Sequence, residues 1–106
     1  MNGYQITFFT HQDKRHKGEP LADWLVRLAK EMQLRGATLI AGAEGFGQRG
    51  RIHSTHFFEL ADQPQEVLII ATEEESQRLF ERLRVEQVEL FYVKTAVEFG
   101  ALGKSA

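Results

Sequence analysis

Two stretches of this 106-residue sequence carry side chains whose types and spacing could do chemistry. The first, Gly45 to His56, reads Gly-Phe-Gly-Gln-Arg-Gly-Arg-Ile-His-Ser-Thr-His and holds three of the nine glycines, two arginines, two histidines and no acid. Successive backbone N–H groups in a glycine-rich turn can cradle an anion. Arg49 and Arg51 would add charge-assisted hydrogen bonds to it. The second stretch, His11 to Gly18, is polar and brings Lys14, Arg15 and Lys17 with two more histidines. Either stretch suits a phosphate or another small anion.

Two other chemistries use the same residues. His53 and His56, with His11 or His16, could offer imidazole nitrogens to zinc, nickel or copper. On an extended strand, residues three apart point to opposite faces, so His53 and His56 converge only if the chain bends between them. Ser54 lies beside His53, but no acid nearby would orient a histidine base, and no catalysis is expected. The absence of cysteine removes thiolate nucleophiles, disulfides and zinc–thiolate sites together. A net charge of -2 disfavours nucleic acid and anionic membrane as partners.

The elements that must position these stretches read as follows. Tyr4 to Thr10 is rich in aromatic and β-branched residues and predicts a strand. A polar loop follows to Gly18, and Pro20 stands where a first helical turn tolerates its missing N–H. Leu21, Trp24, Leu25, Leu28, Ala29 and Met32 recur on one helical face, with Gly36 as the expected C-cap. Ala37 to Ala43 predicts a short strand, and Phe57 to Leu60 a ribbon continuing from the glycine-rich segment. Val67 to Ala71 is an apolar strand. Thr72 and Glu75 form a capping box opening a second helix, in which Leu79, Phe80 and Leu83 face inward. Val88 to Phe99 predicts a long last strand, and residues 100–106 a loose tail. The whole of 1–106 reads as one small domain. No signal peptide is expected at its N-terminus, no apolar run nears the roughly 20 residues of a membrane span, and a cytoplasmic location is expected.

Strand, helix, strand, strand, helix, strand is the ferredoxin-like βαββαβ order, an α+β fold with one antiparallel four-stranded sheet and two helices on one face. Its first two strands run parallel with the third between them. The loops after them, carrying Lys14, Arg15 and Lys17 and then Arg49 and Arg51, therefore meet at one end of the sheet. The last two strands are apolar on both faces, and Phe9 adds an aromatic to the face without helices. That face predicts an oligomer, for which closed symmetry is the usual solution. A monomer would instead leave those aromatics open to RNA bases.

The ordered set Asp13-Lys14, Lys17-Gly18, Pro20-Leu21, Gly36-Ala37-Thr38, Gly45-Phe46-Gly47, Arg51-Ile52-His53, Phe57-Phe58 and Leu60 resembles PII signalling proteins. It is more closely similar to a PII-like family, the domain of unknown function numbered one hundred and ninety. The resemblance spans nearly the whole chain. It implies a homotrimer of ferredoxin-like subunits with ligand clefts between subunits, an adenine nucleotide as ligand, and a T-loop that grips a membrane transporter, enzyme or regulator. On this resemblance Gly45, Phe46, Gly47 and Gln48 match the base of the T-loop, and Arg49 and Arg51 lie in the loop; His53 joins them as a ligand-binding candidate. PII proteins carry a glycine-rich basic loop between the second helix and the last strand. Here that connection is Arg84-Val85-Glu86-Gln87 without glycine, so phosphate contacts are expected from Lys14, Arg15 and Lys17. The T-loop tyrosine that some PII proteins modify has no counterpart in 45–60.

Overall fold

A computed structural model describes residues 1–42, 44–46, 52–54 and 63–103, with the backbone alone at 44–46 and 52–54. The elements run β1 (Asn2–His11), β2 (Arg15–His16), β3 (Glu19–Pro20), α1 (Leu21–Glu31), β4 (Ala37–Ala41), β5 (Glu44–Phe46), β6 (Ile52–Ser54), β7 (Pro64–Ala71), α2 (Glu73–Val85) and β8 (Phe91–Glu98). Four strands form one sheet in the order β4-β7-β1-β8, every neighbouring pair antiparallel. This is the expected ferredoxin-like arrangement, with β1 and β4 parallel on either side of β7.

The register sorts side chains by face. Tyr4, Ile6 and Phe8 of β1 stand beside Ala71, Ile69 and Val67 of β7, and residues two apart share a face. Ile6, Phe8, Val67, Ile69 and Ala71 are fully buried, and the apolar stripes of both helices cover them. Leu21, Leu25 and Leu28 of α1 and Leu79 of α2 are also excluded from solvent. Each such leucine contributes about 1.5–3 kcal/mol relative to an exposed one. The alternate residues face away from the helices. Phe9, Ile40, Phe91 and Val93 stay exposed there, with Leu68 and Ile70 half-buried between them, so the uncovered face is apolar, as the sequence predicts.

The ends of the elements depart from expectation in instructive ways. The capping box is present: the Thr72 hydroxyl accepts from the Glu75 N–H at 3.2 Å, and the Glu75 carboxylate accepts from the Thr72 N–H at 2.8 Å. The α1 C-cap is not Gly36. Gln33 takes the left-handed conformation (φ 59°), while the N–H groups of Gln33 and Leu34 reach back to the carbonyls of Lys30 and Ala29. Gln87 (φ 57°) ends α2 in the same way, with Gln87 and Val88 bonded to Arg84 and Leu83. Both are Schellman motifs, in which the chain reverses where the hydrogen bonds require it and glutamine bears the strain glycine would avoid. Pro20 lies one residue earlier than expected, as the N-cap of α1. Residues 11–18 are more than a loop: β2 and β3 pair across a two-residue turn at Lys17 (φ 52°) and Gly18 (φ 83°). Positive φ at both central residues is the type I′ hairpin signature. The last strand begins at Phe91, because Val88 and Leu90 pack against the core as partly buried residues before it. The ribbon expected at 57–60 lies outside the described residues.

Candidate functional site

The antiparallel sheet brings the C-terminal ends of β1 and β4 and the N-terminal ends of β7 and β8 to one end of the molecule. Backbone bonds close that end: Gln12 donates to the Gln63 carbonyl (2.9 Å) and Gly42 to the Pro64 carbonyl (2.7 Å). Two hairpins project from it. One is β2–β3, carrying Arg15, His16 and Lys17. The other is β5–β6, in which Gly45 pairs with His53 and Phe46 with Ile52. The two stretches singled out by their chemistry thus share one end of the fold. The backbones of Gly45, Phe46 and His53 are placed on this second hairpin, whereas Gly47, Gln48, Arg49, Arg51 and His56 lie outside the described residues.

The first hairpin is held by charge. The Lys14 ammonium donates to the Glu89 carbonyl at 2.7 Å, and Arg15 donates to the Gly18 carbonyl at 2.9 Å. Lys17 ion-pairs with Glu86 at 2.8 Å. The same Glu86 oxygen lies 3.2 Å from His16 Nε2, while its other oxygen accepts from Arg82 at 3.2 Å. The Lys17 contact first, then that of His16, with a smaller share from Arg82, hold the Glu86 carboxyl down at about 2 against the opposing effect of its partial desolvation. The His16 ring packs against Trp24 at a tilt of 60°, with centroids 4.3 Å apart. Arg27 of α1 pairs with Glu19 of β3. The basic end expected from Lys14, Arg15 and Lys17 is therefore partly neutralised by the end of α2.

Glu86, Arg82 and the Glu89 carbonyl are the site members that sequence reasoning missed. Glu86 lies 70 residues from His16, so no local spacing joins them. Two signals were present: a glutamate at the C-terminal end of a helix opposes the helix dipole, which favours cations there, and Arg82 stands four residues before it, the spacing of a helical ion pair. Among the described residues, no group of three or more histidine or acidic side chains is gathered for a metal. His11 sits against Asp13, and the side chains of His53 and His56 belong to segments without a described placement.

Comparison with known proteins gives the same architecture. The chain is similar to CPII of Thiomonas intermedia K12, a nitrogen regulatory PII-like protein whose solved structure holds ADP, AMP and bicarbonate. That match has a TM-score of 0.68 and 16% identity, covering 95% of this chain and 91% of that one. CutA of Xylella fastidiosa aligns with a TM-score of 0.58 and 17% identity, over 92% of this chain and 86% of the other. The UPF0166 protein of Aquifex aeolicus (strain VF5) is 31% identical over 97 residues, 83% of this chain and 92% of that protein. The profile of the DUF190 family, described as an uncharacterized ACR, matches residues 3–96. With that match and the relationship to the Aquifex protein, the chain belongs to the DUF190 family, and its fold is PII-like.

Proposed function

We propose that this protein is a PII-like regulator or sensor, without catalysis, that binds a small anionic ligand, an adenine nucleotide foremost, in clefts between the copies of a cytoplasmic homotrimer. The observation that carries this reading is that the β2–β3 hairpin, with Arg15 and Lys17, and the described strands of the β5–β6 hairpin follow strands that end at the same end of the sheet. The apolar outer face of the sheet supports assembly, since Phe9, Ile40, Phe91 and Val93 lie open to solvent in the single chain. Lys14, Arg15 and Lys17, with Arg49 and Arg51, are the phosphate partners in this reading. The 45–56 segment contacts a protein target, a membrane transporter or an enzyme. The ADP and AMP held by CPII support a nucleotide as the ligand, and the bicarbonate held beside them makes that anion the first one to test against it.

Thermal unfolding at fixed protein concentration tests the reading against ATP, ADP, AMP, cyclic AMP, bicarbonate and divalent metals with chelator controls. A ligand at 100 times its dissociation constant adds about 2.7 kcal/mol per site, a rise of several degrees for a domain of this size. A rise with an adenine nucleotide that Arg49→Ala or Lys14→Ala abolishes supports the nucleotide reading. A rise with metal alone, lost when His53 and His56 are both replaced, would put a divalent-metal trimer in its place. Silence across the panel would sink both.

A further inference from the structure

The hairpin that carries the candidate phosphate partners is closed by a carboxylate of the chain itself. Lys17, His16 and Arg82 converge on the two oxygens of Glu86, at 2.8, 3.2 and 3.2 Å. The carboxylate is nearly enclosed, with 10% of the Glu86 side chain exposed, while Lys17 keeps 62% and Arg82 45%. A negative group thus sits inside a set of donors that open outward. The position is unfavourable for Glu86 by itself, because it is the C-cap of α2, at the negative end of the helix dipole. Its other contacts are Lys14 on the Glu89 carbonyl, Arg15 on the Gly18 carbonyl, the Arg27–Glu19 pair and the His16 ring against Trp24. Only two residue pairs join β2 to β3, and a two-stranded hairpin this short is not stable alone. Its turn also places Lys17 at φ 52°, a left-handed conformation that costs a side-chain-bearing residue.

We propose that Glu86 is a built-in competitor. Its carboxylate occupies the cations of Lys17 and Arg82 and the His16 ring nitrogen beside them, which an incoming phosphate group would take, and binding requires the phosphate to displace it. The inference rests on the anionic-ligand reading above and adds its regulation. The ligand gains cations already positioned by the fold, and the freed Glu86 moves into water. Without ligand, Glu86 keeps the hairpin docked on α2. Discrimination follows from charge: a phosphate oxyanion competes with a carboxylate, and a neutral nucleoside does not.

The test compares wild type with Glu86→Gln and Lys17→Gln in two measurements. Hydrogen exchange of the 15–19 amides reads the docking without any ligand, and both variants should exchange several-fold faster than wild type. Titration with ADP, pyrophosphate and adenosine reads the competition. Glu86→Gln should bind ADP and pyrophosphate about three- to tenfold more tightly, Lys17→Gln more weakly, and adenosine should be indifferent to either change. Glu86→Ala carries the same expectation as Glu86→Gln and guards against an amide that rebuilds the contacts. Unchanged exchange, or ADP affinity equal or weaker in both Glu86 variants, overturns the inference and leaves the anionic-ligand reading intact. Failure of every variant and of wild type to bind ADP or pyrophosphate overturns both. A gain with ADP but not with pyrophosphate also overturns it, because the competing group would then not be the phosphate.

Discussion

The two ends of the sheet are held by different forces. At the end where β1 begins, the contacts are mainly backbone bonds and close packing, with one ion pair, Arg35 to Glu75 at 3.6 Å. The Met1 ammonium donates to the Phe99 carbonyl at 2.8 Å and the Phe99 N–H returns to the Met1 carbonyl. A side chain on Gly3 would meet the Ala71 carbonyl oxygen at 2.2 Å. The Arg35 guanidinium lies 5.1 Å from the Phe99 ring centroid, and the Thr72–Glu75 capping box starts α2 beside it. At the other end, where the two hairpins project, most of the contacts described above involve a charged side chain. Packed backbone cannot be exchanged for a ligand, whereas an ion pair can. The difference separates the end that fixes the fold from the end that can respond.

The strongest way to break this comparison is Gly3→Ala. The methyl has no room against backbone, so β7 or the 99 segment must shift, at about 2–3 kcal/mol and roughly 10 °C in Tm. A loss below a degree would mean that this end is not close-packed. Thr72→Ala at the same end removes one half of the capping box and should cost about 1 kcal/mol, read from urea midpoints. At the hairpin end, Glu86→Gln should matter less near neutral pH, because water reaches the partners of Glu86. Its signature is pH dependence. The folded-state value of about 2 lies below the ordinary 4.5, so the contacts stabilise the protein above pH 4.5, and that contribution is lost as pH falls toward 2. The Tm gap between wild type and Glu86→Gln should close over that interval, and a gap independent of pH would contradict the charge assignment.

The smallest expected effect sharpens the comparison, because it should be equal at both ends. Gln33→Gly and Gln87→Gly each relieve a left-handed side-chain-bearing residue in the same motif. Each should raise stability by about 0.5–1 kcal/mol, partly offset by the greater freedom of glycine in the unfolded chain. A gain at Gln33 with a loss at Gln87 would show that the Gln87 side chain has a role beyond its backbone.

What could be read from the sequence was what local spacing encodes. The α1 stripe from Leu21 to Met32 needs only the helical period. The Thr72–Glu75 cap needs only three residues of separation. The ferredoxin-like order followed from the alternation of such segments. The Gln33 and Gln87 helix ends were not legible, because they depend on hydrogen bonds rather than on residue type, and Gly36 three residues on was the more conspicuous candidate. The β2–β3 turn left a faint mark, a glycine after Lys17 within a polar run. The Glu86 cluster left a carboxylate on the wrong end of a helix and its four-residue spacing from Arg82, while its other partners, His16 and Lys17, come from a hairpin that precedes α1.

The position of β1 has a kinetic meaning as well. It is a central strand, and its two neighbours are β7 and β8, with pairs such as Phe8 with Val67 and Asn2 with Glu98. The sheet therefore closes only when segments some 60 to 95 residues apart along the chain have met. Folds dominated by such distant pairings acquire their native state slowly, because loop-closure entropy is lost before any contact repays it. Until then the apolar strands stay open along their edges, and another chain can reach them. Refolding yield should fall with rising protein concentration more steeply than for a helical domain of the same length.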